Sequence, residues 1–115
     1  MLSAIFRKTI ALPTAGGYAF FLIEHILYFK ADNKDAILIC IETDVCRVFK
    51  SLKELETSLS SCGFLRIRRD VLLNTINIKT VSKDGSIILT TGETVHPSRE
   101  KAKAVEQYLK DYYYI

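Results

Sequence analysis

The sequence predicts a mainly β domain of small antiparallel sheets, with one short middle helix and one C-terminal helix. Three observations lead there. Short apolar or alternating runs recur along the chain, turn-forming residues close nearly every one of them, and only two segments carry helical spacing. At 115 residues the chain is expected to form one domain spanning 1–115, large enough for a core and too short for two.

Gly16-Gly17 stands before the first run and fits a turn. Strands are expected at Ala19–Ile23, Ile26–Ala31, Ala36–Glu42 and Val45–Phe49, separated by Glu24-His25, Asp32-Asn33-Lys34-Asp35 and Thr43-Asp44. Consecutive short strands of this kind predict a meander. Ser51-Leu52-Lys53-Glu54 has the form of a capping box, and Leu52, Leu55 and Leu59 share a stripe, so a helix is predicted from Leu52 to Leu59. Ile76–Ser82 and Ser86–Thr90 flank Lys83-Asp84-Gly85, and Thr91-Gly92-Glu93 leads into Thr94–His96, which predicts a second meander. After Pro97, Ser98 is a candidate N-cap for a last helix whose face is formed by Ala102, Val105, Leu109 and Tyr112. Tyr112-Tyr113-Tyr114 is expected to fray.

Between the middle helix and the second meander lies Gly63-Phe-Leu-Arg-Ile-Arg-Arg-Asp-Val-Leu-Leu-Asn74. In an extended chain Leu65 and Ile67 point one way, and Arg66 and Arg68 the other. Arg69 breaks the alternation and places Arg68-Arg69 together at the strand end. Guanidinium forks suit phosphates or guanine edges. The same residues also fit an exposed strand whose arginines pair with acids of the chain.

The composition, 49% hydrophobic and 25% charged, is that of an ordinary soluble domain. No apolar run approaches the roughly 20 residues that span a bilayer, and Met1–Lys8 lacks the order of a signal peptide, so a cytoplasmic protein with no membrane partner is expected. Cys40, Cys46 and Cys62 contain no Cys-x-x-Cys pair and are expected to be buried free thiols. The formal charge of +3 is unevenly spread: residues 1–63 balance, and residues 64–115 supply the whole surplus. A basic second half fits a polyanion partner and is also a common solubility device.

Enzyme motifs are nearly absent. His25 and His96 have no Cys, Asp or Glu at metal-ligand spacing, no Gly-rich phosphate loop is present, and no serine sits in a nucleophile elbow. Neither catalysis nor a metal or other cofactor is expected.

Five segments, Ile10-Ala-Leu-Pro-Thr14, Ile26-Leu-Tyr-Phe-Lys-Ala-Asp32, Phe49-Lys-Ser-Leu-Lys-Glu-Leu-Glu56, Phe64-Leu-Arg-Ile-Arg-Arg69 with Asn74, and Ser98-Arg99, resemble the LytTR DNA-binding domain in order and spacing over almost the whole chain. The resemblance implies about ten short strands in a compact β sandwich that binds double-stranded DNA through loops. It also implies a bacterial regulator whose DNA-binding domain commonly follows a receiver domain absent from this chain, with two copies side by side on adjacent repeats.

Carried over by position, three surfaces would meet DNA: the loop Asp32–Ala36 with Asn33 and Lys34; Arg68 and Arg69 with Arg66 behind them; and Ser98 and Arg99 followed by Lys101 and Lys103. The third is also an expected helix N-terminus, which favours phosphate on physical grounds. Lys101 and Lys103 equally fit a solvated helix face. Where the family usually has Arg-x-His-Arg-Ser, this chain has Arg66-Ile-Arg68-Arg69-Asp70, and Asp35 and Ala36 replace reading residues of the first loop. Sequence preference therefore does not carry over. The resemblance favours a sequence-specific DNA-binding domain of a transcription regulator. The alternative is a protein–protein interaction module that keeps the fold with weak or no DNA binding.

Overall fold

The computed structural model describes residues 9–42 and 45–115. The expected turn at Thr43-Asp44 and the N-terminal segment Met1–Lys8 lie outside the described residues. Among the described residues, ten strands form three antiparallel sheets. The first is a hairpin of β1 (Thr9–Thr14) and β2 (Gly17–Leu22). β3 (Ile26–Asp32), β4 (Asp35–Cys40), β5 (Val45–Val48), β6 (Phe64–Arg68) and β7 (Val71–Asn74) form the central sheet, in the order β5-β4-β3-β7-β6. The third sheet is β8 (Ile78–Val81), β9 (Ile87–Leu89) and β10 (Thr94–Val95). The helices are α1 (Leu52–Leu59) and α2 (Ala102–Tyr113).

The predicted first meander is only partly right. β3, β4 and β5 form one, but β2 turns back onto β1, which the strand reading omitted. The second meander stands, although Ile76 belongs to the 3-10 turn Thr75–Asn77, so its first strand starts at Ile78. β7 was also missed as a strand. All four of its residues are buried because both faces of the central sheet are covered at that point. A strand buried on both sides loses the apolar–polar alternation by which a half-exposed strand is recognised.

On one face, Leu52, Leu55 and Leu59 of α1 pack with Leu12 of the hairpin against Phe29, Leu38, Phe64 and Leu72. The capping box that starts α1 is complete: Glu54 N donates to Ser51 Oγ at 3.1 Å, and Ser51 N donates to Glu54 Oε1 at 2.9 Å. The helix continues into a 3-10 turn and stops at Gly63, whose φ of 87° is the left-handed region that a side chain would strain. On the other face, Ile87, Leu89 and Val105 cover Leu27, Ile67, Val71 and Leu73.

The 3-10 turn Ile23–His25 carries the chain from the hairpin into the central sheet. Asn74 Nδ2 donates to the carbonyls of Ile23 and Ile26 at 2.9 Å each, and Asn77 Nδ2 donates to those of Glu24 and Ile26 at 3.0 and 2.8 Å. Both side chains are buried, and these bonds satisfy amide groups that, left unpaired, would cost about 1–3 kcal/mol apiece.

α2 faces inward along Val105 and Leu109 of the predicted Ala102-Val105-Leu109-Tyr112 stripe, whereas Ala102 and Tyr112 at its two ends are exposed. The helix ends within the tyrosine run, with Tyr114 extended at its C-cap. Tyr112 and Tyr113 are helical, and the Tyr113 hydroxyl lies 2.8 Å from Thr75 Oγ1, which itself donates to the Gly63 carbonyl. The three cysteines are free thiols, half-buried where full burial was expected.

Candidate nucleic-acid interface

Three chain reversals distant in sequence meet at one end of the central sheet. Antiparallel pairing of β3 with both β4 and β7 puts the Asn33-Lys34 tip and the Arg69-Asp70 turn at the same end. Ala31 N donates to the Asp70 carbonyl at 2.9 Å and fastens the two together. The third reversal is tied to β6: Ser98 N donates to the Ile67 carbonyl at 2.9 Å, and Arg68 Nη1 donates to the His96 carbonyl at 3.2 Å.

The Asn33-Lys34 tip is a two-residue hairpin turn, with Asn33 at φ 59°. Asparagine tolerates this left-handed conformation better than other residues with a side chain. Asn33 and Lys34 are exposed, whereas Ala36 of the same segment lies in the core, 0% exposed, and cannot reach a ligand. Asp32 and Asp35 at the foot of the hairpin both pair with Arg47 of β5, through Nη2 to Asp32 and through Nη1 to Asp35 at 3.4 Å. Arg47 was not singled out from the sequence, because in an alternating strand it resembles any exposed cation.

The arginine cluster divides by role. Arg66 turns inward: its side chain is only 20% exposed, Nη1 bonds Glu56 Oε1 of α1 at 2.7 Å, and Nε and Nη2 donate to the Arg69 carbonyl at 3.1 and 2.7 Å. It braces the β6–β7 turn and is only partly exposed. Arg68 is exposed, with Nε 3.4 Å from Asp70 Oδ1. The strand register shifts between Arg66 and Arg68, so their side chains need not follow the simple alternation. Arg69, also exposed, sits in the turn.

Ser98 precedes a 3-10 turn, Arg99–Lys101, that leads into α2. Its cap is made by the backbone, with Lys101 N donating to the Ser98 carbonyl at 3.1 Å, and the expected side-chain cap is absent. Ser98 Oγ is buried with no hydrogen-bond partner among the described residues, so this hydroxyl does not face solvent. Arg99, Glu100 and Lys103 are exposed and Lys101 is half-buried. The side chains of Lys34, Arg69, Arg99, Lys101 and Lys103 make no hydrogen bond or ion pair with the described residues. This end of the molecule therefore combines engaged acids, Asp32, Asp35, Glu56 and Asp70, with unengaged cations.

No group of His, Cys, Asp and Glu among the described residues could hold a metal ion. His25 Nδ1 lies 3.7 Å from Glu42, and His96 Nδ1 lies 3.4 Å from Ser86 Oγ. Among the described residues no helix is long and apolar enough to cross a membrane.

The class defined by this fold and site is a mainly β domain whose loops gather exposed cations at one sheet end. The model of the LytTr DNA-binding domain matches residues 16–110, most of the chain, and the protein belongs to that family, which is one of DNA-binding domains and not of enzymes. Among solved structures, the chain is similar to the LytTr DNA-binding domain of a putative methyl-accepting/DNA response regulator from Bacillus cereus. The two share 24% identity at a TM-score of 0.74, with 88% of this chain and 95% of that one covered. At that identity the likeness shows the fold. The search of curated proteins gives no match.

Proposed function

We propose that this chain is the sequence-specific DNA-binding domain of a bacterial transcription regulator of the response-regulator type, and that it contacts double-stranded DNA through the three loops at one end of the central sheet. The observation that carries this reading is the convergence of Lys34, Arg69 and Arg99 from three distant segments while the neighbouring aspartates are held by other arginines. Loops on neighbouring strands enter grooves without a recognition helix, lysines hold phosphates, and arginines at loop tips read guanine edges. In this reading Arg69 and Arg99 read bases, Lys34, Lys101 and Lys103 hold phosphate, and Arg68 and Asp70 act as a pair. Asn33 shapes the hairpin tip, Arg66 braces its turn, and Ser98 acts through its backbone. A second copy on an adjacent repeat and a receiver domain in a longer protein complete the proposed assembly.

The groove between β8 and α2 favours a second reading, a protein-interaction module. It holds about 630 Å³ and is lined by Ile76, Val81, Leu109, Tyr113 and Tyr114. The two functions use different surfaces.

A titration with DNA at several salt concentrations tests the proposal. Log K is expected to fall by about 0.9 per phosphate neutralised for each tenfold rise in salt. Arg69→Ala and Arg99→Ala are expected to cost about 1–3 kcal/mol on a preferred site and to relax discrimination there, while Lys101→Ala and Lys103→Ala weaken all sequences alike. Salt-independent binding, or four variants that behave identically, contradicts the assignment.

A further inference from the structure

We infer that Arg47 is a positioning residue of the DNA face: by bridging Asp32 and Asp35 across three strands it sets the Asn33-Lys34 hairpin and neutralises the acids flanking it. The inference rests on the DNA-binding reading and adds to it a residue that itself need touch no DNA.

Asp32 and Asp35 are direct cross-strand partners at the last position of the β3–β4 ladder. Two carboxylates placed opposite each other repel, and at this sheet end they would also oppose phosphate. β5 pairs with β4 so that Arg47 stands opposite Ile37, one strand away from Asp35 and two from Asp32. From there its two terminal nitrogens reach one carboxylate each, a spread that the forked guanidinium provides and the single nitrogen of a lysine ammonium does not. One side chain thus cross-links β3, β4 and β5 just behind the tip, leaving Lys34 unpaired among the described residues. The acids in turn hold the guanidinium more firmly in its charged form, chiefly through the hydrogen bond that Asp32 accepts and then through its charge. All three side chains are substantially exposed, with 45% for Arg47, 40% for Asp32 and 28% for Asp35. Pairs of that kind add little to global stability, so the effect of this one falls on local geometry and local potential. It also accounts for an acidic substitution in a loop that must approach DNA: with Arg47 counted, Asp32, Lys34, Asp35 and Arg47 sum to zero charge.

The test is a double-mutant cycle read by binding to mixed-sequence duplex DNA and by amide hydrogen exchange at Asn33 and Lys34. Arg47→Ala is expected to weaken binding by about tenfold in the natural background and by less than about twofold in Asp32→Asn/Asp35→Asn, where no carboxylates remain to hold. Arg47→Lys, which keeps the charge and loses the fork, is expected to behave like Arg47→Ala. Faster exchange at the tip should accompany both variants, with the melting temperature nearly unchanged. An equal loss in both backgrounds would mean that Arg47 meets phosphate directly or acts by charge alone, and it would overturn the inference. So would an Arg47→Lys variant indistinguishable from the natural protein. If the natural protein binds no duplex DNA, the DNA reading fails separately, and hydrogen exchange then decides the brace: a tip unchanged by Arg47→Ala overturns it.

Discussion

The two turns at the central sheet's end, Asn33-Lys34 and Arg69-Asp70, solve one problem with different chemistry. Each carries an exposed cation that is unpaired among the described residues, and each is braced by an arginine that is not at its tip. At the first turn Arg47 arrives from a neighbouring strand and holds two side-chain carboxylates, so the brace chiefly cancels charge. At the second, Arg66 comes from the same hairpin and holds a backbone carbonyl from two nitrogens, so the brace fixes the path of the chain. A backbone brace defines shape independently of the turn's side chains, whereas a carboxylate brace lasts only while those acids are present. The second turn is therefore expected to be the more rigid of the two, and the first the more open to change by substitution.

The largest effect that would break this comparison is at Arg66. Arg66→Ala removes three bonds from a half-buried guanidinium and is expected to cost about 2 kcal/mol of stability as well as DNA affinity. Denaturant unfolding and DNA titration on the same variant check it. Unchanged stability with lost binding would make Arg66 a DNA contact and not a brace.

Asp70 sharpens the contrast, since it is the acid of the second turn and pairs with Arg68 where Asp32 and Asp35 pair with Arg47. An exposed pair contributes only about 0–1 kcal/mol, so repulsion from phosphate is expected to prevail. Asp70→Ser should tighten DNA binding severalfold at low salt, shrinking at moderate salt, with no change in the unfolding midpoint. A clear loss of binding at both salt concentrations would instead place Asp70 among the residues that position Arg68 or contact a base.

The smallest effect concerns a side-chain tie away from both turns. The Tyr28 hydroxyl donates to Glu93 Oε2 at 2.7 Å and links the central sheet to the β9–β10 turn. Burial first, and then the bond and charge of Glu93, push the Tyr28 hydroxyl up to about 12 from the ordinary 10. Because the folded state holds this proton more tightly than the unfolded chain, its stabilisation is complete below pH about 10 and lost between about 10 and about 12. Ultraviolet titration of the natural protein and of Tyr28→Phe, which separates Tyr28 from Tyr108, itself raised by burial, should show a late Tyr28 component that moves earlier in Glu93→Gln. A Tyr28 component unaffected by that change would assign its shift to burial alone.

Much of this arrangement was legible from the residues. The middle helix was placed from its capping box and leucine stripe, and the Arg68-Arg69 strand end from the break in alternation. What was missed has physical causes. β7 is buried on both faces and shows no period, and β1, with Pro13 at its edge, gains its partner only when β2 folds back on it. Arg66 looked like surface because the pattern shows which way a strand residue points and not that α1 carries Glu56 to meet it.

The sequence by itself determined the local terms: turns where Asn, Asp and Gly allow reversal, a helix where a cap and a stripe coincide, and a cationic strand end. These depend on residues within a few positions of each other, so spacing suffices to reveal them. Only the tertiary structure decided which cations are left for a ligand. Whether an arginine is a brace or a free contact depends on which acid or carbonyl lies within about 3 Å, and those partners come from strands and helices far away in sequence. Arg47 and Arg66 are taken up in this way while Arg69 and Arg99 are not, although all four are the same residue type.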